Sequence, residues 1–209
     1  MNFSPAFRAE LENLFRWRRD VRRFRPDKLA PGTLERLLGL ASLAPSVGLS
    51  EPWRFVIVED AGRRARIRAL FDTCNAQALA GYEGERAARY AGLKLAGLDA
   101  APAQFAAFAD RGTEQGAGLG RHTMPEMAEY SVVAAIHTIW LAARAEGIGL
   151  GWVSILTPAE IAAILEVPPE WRFIGYFCLG WPEEEADTPE LQRAGWEKRG
   201  DATSRLLRR

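Results

Sequence analysis

Residues 123–156 read TMPEMAEYSVVAAIHTIWLAARAEGIGLGWVSIL and hold the strongest signal for the fold. Thr123 and Glu126 stand three positions apart ahead of an apolar run, which is the pattern of a capping box. We therefore expect a helix from there to about Glu146. It is apolar on nearly every side, as is typical of a buried central helix. Residues 149–156 follow directly and predict a strand, so a central helix packed on a sheet is expected.

Further helices and strands are predicted on both sides of this stretch. Three more β-prone runs predict strands at 53–58, 104–109 and 171–179. Helices are predicted from Ser4 and Pro5 onward, over 31–43, and over 61–98 with breaks at Gly81 and Gly84. This order of elements predicts a single α+β domain over residues 1–209, with a central mixed or antiparallel sheet surrounded by helices.

Composition limits the kind of protein this can be. The 209 residues are 48% hydrophobic, and 27 basic side chains balance 27 acidic ones, which argues against an overall basic nucleic-acid binder. Two cysteines and two histidines make neither a disulfide framework nor a metal-ligand cluster. No apolar run approaches the roughly 18 residues of a membrane span, and no secretory signal is visible. We expect a cytoplasmic protein that binds no metal, nucleic acid or membrane.

Six arginines fall within residues 16–25, the strongest local charge in the chain. Arginine presents planar, permanently charged donors that suit phosphate or carboxylate oxygens, although a solvated basic face explains the run equally well. No comparable acidic block lies nearby in the sequence. Asp20 lies among these arginines, where a carboxylate serves either as an ion-pair partner or as a base. The residues alone leave these alternatives open.

Two loops are candidates for ligand contact or movement. Residues 44–52 are rich in turn-forming residues and carry Ser46, whose hydroxyl can contact a ligand, while Gly48 allows close backbone approach. Residues 112–120 contain four glycines, so we expect a flexible loop there and a lid over about 82–122.

Two other features of the sequence carry weaker signals. Gly149 and Gly151 precede a strand and lack the third glycine and following helix of a dinucleotide-binding loop. Ser154 is expected in the middle of the strand, without the surrounding residues of a nucleophile elbow or a catalytic triad. By themselves, these residues indicate structure rather than chemistry.

Two separated motifs together resemble the nitroreductase family of flavoproteins. Residues 18–24, RRDVRRF, resemble that family's R-R-S-x-R-x-F segment, with Asp20 at the serine position. Residues 44–55, APSVGLSEPWRF, resemble its second signature, A-P-S-x-x-N-x-Q-P-W-x-F. Leu49 and Glu51 depart from this signature, standing where the family commonly has Asn and Gln. The resemblance implies a nitroreductase-like fold and an FMN-binding homodimer with the flavin at the subunit interface.

Within that family the sequence is most similar to the 5,6-dimethylbenzimidazole synthases, which make the lower ligand of vitamin B12. Asp20 in place of serine points there, as do the helix and strand blocks at 123–136 and 141–156. The similarity spans about residues 15–200. These synthases fragment reduced FMN with molecular oxygen, and they release 5,6-dimethylbenzimidazole and erythrose 4-phosphate.

The resemblance also implies roles for individual residues. The implied flavin contacts are Arg18, Arg19, Asp20, Val21, Arg22, Ser46, Lys94, Ser154 and Arg199. Arg18, Arg19 and Arg22 match the family's FMN-binding segment, and their charge suits the phosphate end. Asp20 and Ser154 match the residues associated with catalysis in the synthases, Asp20 as the base and Ser154 orienting the ring edge or an intermediate.

Several other functions are compatible with the sequence. The same resemblance allows an NAD(P)H-dependent flavin, nitro or corrinoid reductase that keeps FMN as a cofactor. A non-catalytic flavin-binding protein, or an arginine cluster serving an anionic protein partner, are alternatives from a different class. The synthase reading implies in addition a flavin reductase, or another source, that supplies reduced FMN.

Overall fold

Four strands form the sheet in this computed structural model, which describes residues 1–93 and 96–209. The strands are β1 (Trp53–Ile57), β2 (Ala103–Asp110), β3 (Gly149–Val153) and β4 (Trp171–Gly180). They lie in the order β1-β2-β4-β3, and each neighbouring pair is antiparallel. The sheet thus joins strands from distant parts of the chain, and the predicted α+β fold is confirmed.

Eight α-helices surround this sheet within the described residues. They are α1 (Pro5–Trp17), α2 (Thr33–Gly39), α3 (Ala61–Leu79), α4 (Gly84–Gly92), α5 (Gly97–Ala100), α6 (Met127–Ala145), α7 (Pro158–Leu165) and α8 (Glu190–Arg193). Short 3₁₀ turns cover Leu40–Leu43, Val47–Leu49, Gln115–Gly118 and Thr203–Arg205. Of the helices described, none is both long enough and apolar enough to cross a membrane.

The sheet is covered by helices on both faces, and β2 shows why. Phe105, Ala107 and Ala109 belong to the cluster that α2 and α6 cover, whereas Ala106 and Phe108 belong to the cluster under α3 and α7. Successive side chains of a strand point to opposite faces, so a central strand between two helical layers is apolar throughout. Burying a side chain as large as Phe contributes roughly 1.5–3 kcal/mol relative to leaving it exposed.

The central helix α6 differs from its prediction at its start and on one side. It begins at Met127, and its N-cap is Glu126, with no side-chain cap hydrogen bond. The predicted capping box at Thr123 is therefore wrong, because the Met127 N–H closes a turn onto the Met124 carbonyl and leaves Thr123 outside the helix. The helix is also not buried all round, since Tyr130 is exposed on its outer face.

The first helix has the predicted start but exposes its apolar side. The Ser4 hydroxyl accepts a hydrogen bond from the Phe7 N–H at 3.1 Å, and Pro5 occupies the first turn, as the sequence indicated. Phe7 and Phe15 nevertheless remain exposed, and α1 buries none of its residues in this chain. Together with the open side of α6, this leaves a large apolar surface on the single chain.

The predicted lid range, 82–122, contains elements of very different character. It includes β2, a buried strand in the middle of the sheet, which cannot belong to a moving cover. The part of the predicted range that remains a candidate lid is therefore limited to α4 and the glycine-rich loop 112–120. That loop packs against the turn Val47–Leu49, where a Cβ added at Gly116 would lie 2.3 Å from the Gly48 carbonyl oxygen. Whether either part opens stays a prediction.

Candidate active site

The arginine-rich segment, residues 18–25, runs along the free edge of β3. Asp20 forms a parallel bridge to Leu150, and the Val21 N–H donates to the Leu150 carbonyl at 3.1 Å. Gly149 and Gly151 make this close approach possible. A Cβ on Gly151 would lie 2.1 Å from the Val21 carbonyl oxygen, and one on Gly149 would lie 2.8 Å from a Val21 methyl. Gly149 and Gly151 therefore leave the space that the arginine-rich segment needs to lie along β3.

The far end of this segment is anchored as firmly. Phe24 is buried, and its ring fills the space in front of Gly97, where a Cβ would lie 2.9 Å from the ring. The Arg25 N–H donates to the Trp181 carbonyl at 2.8 Å, and the Arg23 carbonyl accepts from the Glu183 N–H at 3.1 Å. Both ends are fixed, so the side chains between them start from a rigid backbone.

Asp20 is held with its carboxylate at the edge of β3. One oxygen accepts the Trp152 N–H at 2.8 Å, and the other lies 3.6 Å from Arg22 Nε. Burial raises the pKa of Asp20 above its ordinary value, against the lowering effects of the Trp152 hydrogen bond and of Arg22 and Arg18. With 37% of its side-chain surface still accessible, Asp20 combines a raised pKa with access to a ligand.

The arginines divide into two groups. Arg19 donates from Nε to the Asp187 carbonyl at 2.9 Å and from Nη1 to the Arg18 carbonyl at 2.6 Å, and a second contact to Asp187 comes from Nη2. Arg23 lies 3.4 Å from the Glu190 carboxylate. Arg19 and Arg23 therefore both bind other parts of the same chain. Arg19 has fewer free N–H groups for a phosphate as a result, and its role as a phosphate ligand stays a prediction.

Arg18, Arg22 and Arg199 form the other group, and they line one cavity together with Arg19, Asp20 and Glu190. The Arg18 guanidinium stacks over the Trp140 ring at 4.7 Å. Burial lowers the pKa of Arg18, and the nearby charge of Arg199 lowers it further, which places the two cations close together. Arg199 was predicted from the resemblance, and the fold brings it from the far end of the chain to the arginine-rich segment. This cavity brings four arginines together with two carboxylates, those of Asp20 and Glu190.

An acidic segment, residues 183–190, folds against the arginines. Besides the pair of Arg23 and Glu190, Arg144 lies 2.7 Å from Glu185 and Arg193 lies 3.4 Å from Glu184. The expectation of no acidic block nearby holds along the sequence but is wrong in space. Five acidic residues within eight positions are visible in the sequence at 183–190, and their charge could have suggested a partner for the arginines.

The remaining predicted residues lie at varied distances from this cavity. Val21 contacts Gly149 with its side chain. Ser154 is exposed just beyond the end of β3, rather than in the middle of a strand, and follows Trp152 by two positions. Lys94 lies outside the described residues. The Ser46 hydroxyl accepts from the Glu51 N–H at 3.2 Å and stays within its own turn.

The two family motifs, residues 18–24 and residues 44–55, meet α6 at separate places. The Val47 N–H donates to the Ser131 hydroxyl at 3.0 Å, while Trp140 Nε1 donates to the Arg19 carbonyl at 3.1 Å. Ser131 and Trp140 are nine residues apart, roughly 13 Å along the helix axis. Ser46 and the arginine cavity are thus attached to different stretches of the same helix. In residues 1–93 and 96–209, no group of three or more His, Cys, Asp or Glu could hold a metal ion.

Comparisons with known proteins agree with this architecture. A family model described as the nitroreductase family matches residues 15–181. A 5,6-dimethylbenzimidazole synthase from Rhodospirillum rubrum is 57% identical over 197 residues, 94% of this chain and 93% of that protein. One from Rhodobacter capsulatus is 47% identical, over 95% of this chain and 96% of that protein.

Solved structures share the fold at lower identity. A crystal structure of oxidized iodotyrosine deiodinase bound to FMN and 3-iodo-L-tyrosine has a TM-score of 0.71 and 24% identity, covering 84% of this chain and 91% of that one. A nitroreductase-like protein from Streptococcus mutans also has a TM-score of 0.71, with 18% identity, covering 96% of this chain and 98% of that one.

Proposed function

The chain belongs to the nitroreductase family, and we propose that it acts as a 5,6-dimethylbenzimidazole synthase. In this proposal reduced FMN is the substrate, molecular oxygen is the co-substrate, and no metal takes part. The products are 5,6-dimethylbenzimidazole and erythrose 4-phosphate. The relatives named for this activity align over nearly their whole length with this chain, which supports the proposal beyond the family level.

The observation that carries the proposal is the position of Asp20. Its carboxylate lies in a cavity lined by cations, yet burial outweighs those cations and raises its pKa. A group that only had to balance arginine charge would have its pKa lowered by them. A carboxyl group with a raised pKa that remains accessible to a ligand is instead suited to take up and return a proton.

The donor set of the cavity fits the phosphate of FMN. Arg18, Arg22 and Arg199 present guanidinium groups there, and charge-assisted hydrogen bonds from arginine to phosphate are among the strongest that proteins make. The phosphate would be held by these three side chains, and the ribityl chain would then extend toward Asp20. This arrangement accounts for the retention of three cations beside an acidic side chain.

The chain's own groups supply positioning and proton transfer. Reduced FMN supplies the electrons for oxygen and is itself the molecule that is broken down. Asp20 would remove a proton from the ribityl carbon that the benzimidazole retains, and the Trp152 N–H would hold the carboxylate in place. Ser154, exposed two positions after Trp152, would orient the ring edge with its hydroxyl.

We also propose a homodimer in which each flavin site is completed by the second copy. In one chain the Ser46 motif and the arginine cavity meet α6 roughly 13 Å apart. Several of the exposed apolar side chains lie in or beside the Ser46 motif, on the loop packed against it, or on the stretch of α6 that it contacts; they are Leu43, Leu49, Leu119, Tyr130 and Val133. Burial of such a surface by a second copy would bring the partner's Ser46 to the arginine cavity. A flavin reductase would supply reduced FMN.

A product analysis tests the proposed function directly. The purified protein is mixed with chemically reduced FMN and then with air, and the products are separated and identified by mass. We expect 5,6-dimethylbenzimidazole in amounts that grow with enzyme and time, together with a loss of flavin. Complete return of yellow, oxidised FMN without the benzimidazole would overturn the proposal and favour a reductase that keeps its flavin.

A further inference from the structure

The turn that carries Ser46 holds an unusual amount of backbone strain. Leu49 and Glu51 have φ values of 54° and 41°, in the left-handed region that residues with a side chain rarely adopt. Gly48, with φ 56°, precedes them. Such conformations persist only where the surrounding structure enforces them. The turn lies in the segment proposed above to meet the flavin.

The glycine-rich loop supplies the contacts that enforce this conformation. Gln115 Nε2 donates a 2.8 Å hydrogen bond to the carbonyl of Leu49, the first of the strained residues. A Cβ on Gly116 would lie 2.3 Å from the Gly48 carbonyl oxygen and 3.2 Å from the Ser50 Cα. The loop backbone therefore lies directly on the turn.

The contact is made by particular residues and not by the whole loop. A Cβ on Gly120 would lie 2.8 Å from a Val47 methyl, so this glycine also faces the turn. Gly118 has nearly the same backbone conformation as Gly116, with φ 73° against 78°, but a Cβ there would meet nothing nearer than His122 at 3.7 Å. Gly116 and Gly118 thus form a matched pair that differs in contact with the turn.

We propose that Gln115 and Gly116 are positioning residues that hold residues 46–51 in the conformation that receives the flavin. The glycine-rich loop is then a fixed brace within its own chain. This inference rests on the proposed function, because it takes residues 46–51 to contact the flavin. Leu49 and Glu51 lack the Asn and Gln side chains common in the family, so here the segment depends on its backbone shape. Gln115 supplies an amide donor to that backbone from outside the segment.

The first test compares unfolding temperatures without flavin. Gly116→Ala and Gly118→Ala introduce the same methyl at the same backbone conformation, but only Gly116→Ala forces it against Gly48. We expect the Tm of Gly116→Ala to fall by at least about 4 °C more than that of Gly118→Ala. Equal Tm values for the two variants would overturn the proposal that Gly116 holds residues 46–51 in place.

The second test measures FMN binding and uses side-chain variants that leave the loop backbone intact. Gln115→Glu keeps the shape of the side chain but removes the donor, and Gln115→Ala removes both. The neighbouring exposed Glu114→Ala is the matched control. We expect each Gln115 variant to weaken FMN binding between about two- and tenfold, with a changed absorption band of the bound flavin. Glu114→Ala should match the parent in both measurements.

The outcomes separate this inference from the proposed function. If the parent binds FMN and forms the benzimidazole while both Gln115 variants match it in affinity and spectrum, the positioning role is overturned and the proposed function stands. If the parent binds no FMN, both fall. Weaker binding with an altered flavin spectrum in both Gln115 variants, but not in Glu114→Ala, supports the inference.

Discussion

Residues 18–25 and residues 44–52 both lie against α6, but different forces hold them. The first segment lies on β3 as an added edge, with hydrogen bonds to Leu150 and Trp152 and two glycines that clear its path. The second is a turn in a strained conformation, enforced by a neighbouring loop. The arginine-rich segment is thus positioned by hydrogen bonds to the edge of the sheet, whereas residues 44–52 are positioned by packing against the glycine-rich loop.

The two segments also differ in how their side chains are engaged. In the first, Arg19 and Arg23 bind the acidic C-terminal part of the chain, which leaves Arg18 and Arg22 beside Asp20 in the cavity. In the second, Ser46 bonds within its own turn, and Leu49 is largely exposed. Under the proposed function, we expect proton transfer and phosphate binding in the first segment and flavin contact through backbone shape in the second.

Replacing the carboxylate tests this division most strongly. Asp20→Asn keeps the shape and the Trp152 hydrogen bond but removes the group that accepts a proton. We expect benzimidazole formation to fall by at least about 100-fold, because positioned acid–base catalysis contributes about 10²–10⁴-fold. FMN binding should be as tight as in the parent or tighter, since the cavity gains net positive charge. Product formation and flavin titration measure the two effects.

A control variant replaces an exposed carboxylate by the same substitution. Asp187→Asn alters an exposed carboxylate but leaves the backbone carbonyl that binds Arg19, so its activity should equal the parent's. If Asp20→Asn forms the benzimidazole near the parent rate, Asp20 is an ion-pair partner and the proton acceptor lies elsewhere.

Mixing two inactive variants tests whether the two segments come from different copies. Asp20→Asn damages the first segment, and Ser46→Trp blocks the second. In a mixed dimer, one of the two sites would combine the intact segment of each chain. After unfolding and refolding an equal mixture, we expect about a quarter of parent activity per site. Each variant refolded alone is the control, and a mixture no more active than these controls would place both segments of a site in the same copy.

Two variants compare arginines that line the cavity: Arg22, which lies beside Asp20, and Arg19, which is bound by the Asp187 carbonyl. Arg22→Ala removes a cation that lines the cavity, and we expect FMN binding to weaken about tenfold or more, with a larger effect at low salt. Arg19→Ala removes a side chain bound to Asp187, so it should lower the Tm and weaken FMN binding by less than Arg22→Ala. Titrations at two salt concentrations measure this difference. Equal losses in affinity would show that Arg19 binds the phosphate as well.

A pH series gives the smallest expected effect. Burial raises the pKa of Asp20 from 3.8, so over a window above 3.8 the folded protein keeps a proton that the unfolded chain has lost. The free energy of unfolding therefore falls as the pH rises through this window. Asp20→Asn carries no charge at this position, so its free energy of unfolding should not fall over this window. Its Tm at neutral pH should exceed the parent's by about 2–4 °C for each kcal/mol that the buried charge costs the parent.

This difference should shrink as the pH falls through that window and disappear below about 4, where Asp20 is protonated in both states. Thermal melts of the parent and of Asp20→Asn from pH 3 to pH 8 measure it, with Asp187→Asn as the exposed control. A parent that is more stable than Asp20→Asn at neutral pH would mean that the arginines outweigh burial.

The sequence alone was sufficient for the α+β class, for three of the four strands to within one residue at each end, and for the two motifs that led to the family. The remaining strand, β3, ends at Val153, three residues before its predicted end. These features are local: strand alternation, the Ser4 and Pro5 cap and the arginine run are each written in a few adjacent residues. Asp20, Arg18 and Arg22 could be named for the same reason, since the R-R-D-x-R spacing is contiguous, whereas Arg199 was named only from the family resemblance.

Which arginines of the segment are held by distant parts of the chain is clear only from the folded structure. The residues that bind Arg19 and Arg23 lie more than 160 positions away, Asp187 through its backbone carbonyl and Glu190 through its carboxylate, and contacts over that distance depend on where the strands carry the chain. The space that Gly149 and Gly151 leave for the arginine-rich segment lies where distant parts of the backbone meet. A local pattern records the conformation of its own residues, whereas contacts with distant residues exist only once the sheet has formed.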